Sequence, residues 1–182
     1  PQRVKYVTLF AFSTENWLRP KEEVSFLMLL FHRYLKKEAA TLHKQNIRFS
    51  VIGETHKLPN EIQEAIRSTT SLTKKNTGLH LTFALSYSGR QEIVLAVQAI
   101  AEKYKKSEIQ LNQINEEYLS SHLMMATSPD PDLIIRTSGE SPLSNFLSWQ
   151  SAYSELYFTS VLWPDYTVEN FSQACQNYYQ RN

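Results

Sequence analysis

The sequence predicts an α/β fold with a parallel central sheet flanked by helices. Two observations carry that prediction. Short segments that are nearly all apolar and rich in β-formers, as strands covered on both faces are, occur along the chain. They alternate with segments whose apolar residues recur at helical spacing, and such alternation calls for right-handed crossovers that lay helices over both faces of the sheet. No repeat, low-complexity tract or linker interrupts the 182 residues, so one domain over 1–182 is the simplest account.

The elements follow in order. Val4–Phe12 (VKYVTLFAF) reads as a buried strand and Ser13–Pro20 (STENWLRP) as a polar loop. Lys21–Gln45 reads as a helix, because Pro20 and Glu22-Glu23 suit its start and Val24, Leu27, Met28, Phe31 and Leu35 share one face. Ile47–Ile52 is a second strand, ended by Gly53, and Pro59 opens a helix to about Lys75. Leu79–Tyr87 is a third strand, turned by Ser88-Gly89 into a helix over Arg90–Tyr104. A further helix is expected over Asn112–Met125. Leu133–Ile135 and Glu155–Thr159 read as short strands, and Val168–Tyr179 as a last helix.

Composition narrows the function classes. A domain this long buries roughly 70% of the surface its unfolded chain exposes, so it needs no disulfide scaffold. The lone Cys175 has no partner for a bridge, which fits a reducing compartment. A net charge of +1 gives no case for nucleic-acid binding. No apolar run reaches the roughly 20 residues that span a bilayer. The chain opens at Pro1-Gln2-Arg3 with no initiator Met and runs straight into a strand, so a preceding native segment is expected.

Polar residues collect after three strands: Ser13-Thr14-Glu15-Asn16-Trp17, Ser86-Tyr87-Ser88-Gly89-Arg90 and Arg136-Thr137-Ser138-Gly139-Glu140. In open α/β sheets ligands bind beyond the carboxyl ends of the strands. Such a rim suits an anion. Arg136 offers a fork for phosphate oxygens, and Thr-Ser-Gly offers inward backbone N–H groups as a nest. Glu155 and Glu15 offer carboxylates that a magnesium ion would share with phosphates. No P-loop or dinucleotide fingerprint is present. Each feature has a plainer reading. Arg136 suits an ordinary strand-end ion pair, the STENW stretch a helix N-cap region with an anchoring Trp, and Glu155 a structural acceptor. The five histidines show no metal spacing, and Cys175 reads as inert.

Taken together the loops resemble one family. FAFSTENWLRP (Phe10–Pro20), GLHLTFALSYSGR (Gly78–Arg90) and the long stretch from Asp132 to Tyr166 (DLIIRTSGE…LSNFLSWQSAYSELYFTSVLWPDY) are similar to the signatures of the cis-prenyltransferases, which include undecaprenyl and dehydrodolichyl diphosphate synthases. The resemblance implies a parallel sheet of about six strands, usually in a homodimer. It implies condensation of isoprenoid diphosphates such as dimethylallyl and isopentenyl diphosphate, with magnesium. By position, Arg136 and Ser144 match the binders of the homoallylic diphosphate, and Glu155 matches the magnesium ligand. Ser13, Asn16 and Trp17 match the loop that positions substrates and is implicated in proton removal, with Arg19 a basic residue of the same loop. Phe26, Leu27, Leu30 and Phe31 would help wall an apolar tunnel for the growing chain. The reading requires the Trp17 loop, Arg136 and Glu155 to share one mouth.

Departures from the pattern sharpen the expectation. The family's DGNGRWA-type segment, which carries a magnesium-binding Asp, and its C-terminal Arg-x-Gly element are not in this sequence. Pro142 stands where the family places a basic residue, and Pro offers neither charge nor donor. That loss points to a changed second substrate and a short product. The lavandulyl diphosphate synthases, which join two dimethylallyl diphosphates by an irregular bond, are the candidate branch. The alternatives are a long-chain polyprenyl synthase that uses isopentenyl diphosphate and makes a membrane-bound product, and a non-catalytic partner subunit. Ser86 replaces a usual Asn and Ser148 a usual apolar residue, and neither is decisive. The wording ALSYSGR and RTSGE is closer to plant members, so the expected location is plastid stroma or cytoplasm.

Overall fold

A computed structural model describes residues 4–181. The chain divides into two compact units, one ending at Met124 and one starting at Met125, and each is described by itself.

The first unit holds β1 (Tyr6–Ser13), α1 (Lys21–Lys44), β2 (Arg48–Ile52), α2 (Asn60–Thr73), β3 (His80–Tyr87), α3 (Gly89–Lys105) and the short α4 (Glu116–Ser120). Its three strands form a parallel sheet in the order β1-β3-β2. The central β3 is buried from Leu81 to its end, as a strand flanked on both edges should be. Leu81, Phe83 and Leu85 join Phe49, Met28, Leu35, Leu42 and Ile62 in the core under α1 and α2. Phe83 is the hub of the aromatic packing, with ring centroids of Phe49 at 5.5 Å and Phe31 at 5.7 Å.

Local rules explain where the elements stop. The carbonyl of Pro20 accepts the Val24 N–H, so proline occupies the position before α1 where its missing donor costs nothing. At the other end Asn46 takes a left-handed φ of 57° while the Ile47 N–H reaches back to the Leu42 carbonyl, a Schellman-type ending. Gly53 ends β2 at φ 112°. A Cβ there would stand 2.0 Å from the Leu85 carbonyl oxygen, so no other residue fits without shifting backbone.

The second unit holds β4 (Leu133–Arg136), β5 (Glu155–Phe158) and α5 (Val168–Arg181). Its two strands pair in parallel, Leu133 with Glu155 through Arg136 with Phe158.

Four expectations need correction. The described residues hold five strands in sheets of three and two, not one sheet of about six, because β4 and β5 pair only with each other. The first strand is not buried: Phe12 is, but Tyr6 is 45% exposed, because β1 stands at the edge of its sheet. The stretch 13–20 is not all loop, since Thr14–Leu18 forms a 3-10 turn. The helix expected over Asn112–Met125 is broken into a 3-10 turn, Leu111–Gln113, and α4. Asn115 accepts the Tyr118 N–H with its side chain and so caps a new helix instead of continuing an old one. Among the described residues no helix is long and apolar enough to cross a membrane.

Candidate active site

In the first unit, parallel pairing puts the carboxyl ends of β1 and β3 side by side, with Ser13 opposite Tyr87. The polar turns that follow these strands therefore share one rim, as the sequence predicts. The turn after β1 is held by three contacts. The Asn16 side-chain oxygen accepts the Ser13 N–H at 2.9 Å. The Trp17 indole N–H donates to the Ser86 hydroxyl at 2.9 Å, and its ring meets Phe12 edge-on at 5.0 Å. The plainer reading of Trp17 as an anchor describes this contact well. Arg19 leaves the turn on the surface and pairs with Glu23 of α1 at 2.6 Å.

The end of β3 is the residue set that sequence reasoning undervalued. Ser86 is fully buried, has a left-handed φ of 49°, and its carbonyl accepts the Glu54 N–H. Tyr87 donates its hydroxyl to the buried Glu92 carboxylate, whose second oxygen accepts the Met124 N–H at 2.6 Å. Ser88 caps α3 through the Gln91 N–H. The available signal was a pair of small polar residues, Thr82 and Ser86, inside an otherwise apolar run, since a buried polar group needs a partner.

The α1 residues expected to wall a tunnel divide in two. Leu27 and Phe31 pack against the core, while Phe26 at 58% and Leu30 at 45% exposure face outward. Leu29 and Tyr34 extend that outward apolar face.

In the second unit, Arg136 ends β4. Its Nη2 donates to the Ser144 hydroxyl at 3.4 Å, so the structure brings together two residues eight positions apart in sequence. Its Nε is buried with no hydrogen-bond partner, and among the described residues no carboxylate pairs with it. A strand-end ion pair is thus not what Arg136 makes. The chain between them carries left-handed backbone at Ser138 and Gly139, and left-handed residues continue at Ser144, Asn145 and Leu147. The expected nest is corrected here: the Ser138 and Gly139 N–H groups donate to the Val161 and Thr159 carbonyls, so they are not offered to an anion. Pro142 and Ser144 lie exposed on the same loop.

Glu155 begins β5, and the register puts it three residues down the ladder from the partner of Arg136, roughly 10 Å along the strand direction. Arg136 and Glu155 therefore stand at opposite ends of this two-stranded sheet, which corrects the expectation that the two share one mouth: the parallel register separates the end of β4 from the start of β5. The Glu155 carboxylate is 3.9 Å from the Arg181 guanidinium of α5. Burial, then the carboxylates of Asp132 and Glu155, push the Tyr178 hydroxyl up. Among the described residues no group of three or more His, Cys, Asp or Glu side chains is placed to hold a metal. Glu155 supplies one oxygen donor of the kind magnesium takes, but the residues present do not build a metal site. Cys175 is pushed up by burial, away from the reactive thiolate form.

Comparison with known proteins gives these residues a context. A family model described as "Putative undecaprenyl diphosphate synthase" matches residues 2–182. The (2E,6E)-farnesyl-diphosphate-specific ditrans,polycis-undecaprenyl-diphosphate synthase of Micrococcus luteus is 48% identical over 179 residues, 98% of this chain and 72% of that protein. An isoprenyl transferase of Streptococcus agalactiae is 49% identical over 183 residues, 98% of this chain and 73% of that protein. Among solved structures, lavandulyl diphosphate synthase from Lavandula x intermedia, in complex with dimethylallyl diphosphate, superposes with a TM-score of 0.93 at 37% identity, covering 96% of this chain and 75% of that one. A probable undecaprenyl diphosphate synthase from Campylobacter jejuni gives 0.87 at 35% identity, covering 98% and 81%.

Proposed function

The chain belongs to the cis-prenyltransferase family, and from that premise we propose that it is a cis-polyprenyl diphosphate synthase that adds isopentenyl diphosphate to an allylic diphosphate. The observation that carries the reading is the Arg136–Ser144 pair. A guanidinium with a buried, unpartnered Nε, standing beside a hydroxyl at a strand's carboxyl end, is suited to a diphosphate oxygen.

In the reaction the C1–oxygen bond of the allylic diphosphate breaks and diphosphate departs with the electron pair. The double bond of isopentenyl diphosphate forms the new bond to C1, and a proton is lost to leave a cis double bond. Arg136 and Ser144 hold the second substrate's diphosphate. Ser13, Asn16 and Trp17 position the reacting ends and serve proton removal. Arg19 reaches a diphosphate by exchanging its exposed Glu23 partner, an exchange that costs little because surface ion pairs are weak. The outward face of α1, with Phe26 and Leu30, takes the growing hydrocarbon, and Leu27 and Phe31 back it from the core. We further propose a homodimer working in the cytoplasm, with membrane contact only through a long product. The quoted curated relatives are bacterial, which weighs against the plant-like wording and a plastid home.

A second reading, irregular coupling of two dimethylallyl diphosphates, rests on Pro142 and on likeness to the lavandulyl synthase. It ranks below the first because the quoted curated relatives are polyprenyl and isoprenyl transferases. One assay separates the two. The full-length protein with magnesium is given farnesyl and isopentenyl diphosphates, or dimethylallyl diphosphate alone, and products are sized by chromatography. A polyprenyl ladder that requires isopentenyl diphosphate supports the proposal. A ten-carbon branched product from dimethylallyl diphosphate alone replaces it with the second reading. No product from either mixture leaves both readings without support.

A further inference from the structure

Three chain segments meet on one small residue. Ser86 ends β3 fully buried and in a left-handed conformation at φ 49°, which a non-glycine residue adopts at a cost. Its backbone oxygen holds the Glu54 N–H at 3.0 Å, fixing the turn after β2. Gly53 in that turn abuts the Leu85 carbonyl so closely that it leaves no room for a side chain. The Ser86 hydroxyl accepts the Trp17 indole N–H at 2.9 Å, 69 residues away in sequence. The indole is held again by the edge of Phe12 at 5.0 Å, so the ring is fixed at two points. A backbone role alone would be met as well by glycine, which takes positive φ freely. The hydroxyl is what glycine lacks, and the indole is what it meets.

We propose that Ser86 is a positioning residue: its hydroxyl sets where the Trp17 turn lies on the rim of the sheet. The geometric half of this inference stands on the contacts just given, and its effect on turnover rests on the prenyltransfer reading. Ser86→Gly tests both, because it keeps the backbone conformation and removes only the acceptor.

Three tryptophans give three indole N–H signals by NMR, and Trp17→Phe assigns the one of interest by its disappearance. In Ser86→Gly the Trp17 indole should exchange with solvent about three- to tenfold faster, the range for loss of one neutral hydrogen bond, while the melting temperature stays near that of the parent protein. In the full-length enzyme kcat/KM should fall by a similar factor, with kcat falling more than KM rises. In a Trp17→Phe background the same change should have no further effect. Unchanged indole exchange in Ser86→Gly overturns the proposal. So does an undiminished activity loss in the Trp17→Phe background, since the hydroxyl would then act on something other than Trp17. Faster indole exchange in a protein that turns over no isoprenoid diphosphate upholds the positioning role and removes the prenyltransfer reading instead.

Discussion

The turn at Trp17 and the loop at Arg136 are both polar segments that follow a parallel strand, yet they are built in opposite ways. Around Trp17 the protein satisfies its own polar groups: Asn16 holds Ser13, Ser86 holds Trp17, and Glu23 holds Arg19. Around Arg136 it does not. One guanidinium nitrogen is buried without a partner, and another makes a long contact of 3.4 Å to an exposed hydroxyl. Buried polar groups in folded proteins are nearly always paired, so an orphan asks for an explanation that a closed network does not. The difference teaches where to look for scaffold and where to look for ligand. Damage to the first region should register as lost stability or a displaced turn, with the turnover that depends on its position, and damage to the second as lost affinity.

The largest effect is expected where the scaffold is tightest. Gly53→Ala should destabilise the protein by about 3 kcal/mol, the upper range for a backbone-strain substitution. Urea unfolding would read it, and a midpoint within error of the parent protein would show that the turn beneath Ser86 is not rigid. Arg136→Ala should weaken binding of isopentenyl diphosphate about 10- to 150-fold, from loss of one charge-assisted contact, with the unfolding midpoint held. Calorimetric titration beside a melt checks it. A protein that unfolds instead would move Arg136 to the scaffold side. Pro142→Arg should strengthen the same binding by about tenfold, the lower end of that range because the position is exposed. No gain in affinity would count against the role assigned to this loop.

The smallest effect concerns stability alone and lies at the far end of β3 from the rim. Burial, and then the positive Arg48, hold the His80 imidazole below its ordinary 6.5. The folded state therefore takes up this proton later than the unfolded chain does. The contribution is present above pH 6.5 and is lost as the pH falls toward the folded value. The urea midpoint should decline below about pH 6.5, and His80→Gln should flatten that decline without altering diphosphate binding. A slope unchanged in the variant would assign it to other groups.

What was legible in the sequence follows the same division. The strands and long helices were readable because apolar periodicity and end signals are local: Pro20 before α1, Gly53 after β2, Ser88 before α3. The Arg136–Ser144 proximity was reachable only through the family resemblance, because an irregular loop with left-handed backbone, spanning eight positions, has no local code. Three misreadings share one cause, which is that long-range pairing overrides local pattern. An all-apolar run reads as buried, yet β1 lies at a sheet edge. A Thr-Ser-Gly run reads as a nest, yet its N–H groups are taken by carbonyls that follow β5. Ser86 reads as a neutral replacement, yet a tryptophan 69 positions earlier is bonded to it. The Asn112–Met125 helix breaks for a local reason: the Asn115 side chain accepts the Tyr118 N–H and starts a new helix there.

Leu147 adds a consequence of its own. It is a large apolar residue held in a left-handed conformation, at φ 46°, and only 1% of its surface is exposed. An unfavourable local geometry of this kind, costing about 1–3 kcal/mol, persists only because burial of the side chain repays it. Leu147 thus acts as a plug whose seating decides the course of the chain that presents Ser144. Shaving it to alanine would let the backbone relax into an ordinary region, and Ser144 would drift from Arg136 although neither had been touched. A screen for substrate affinity would then score a hydrophobic position as though it were a ligand contact.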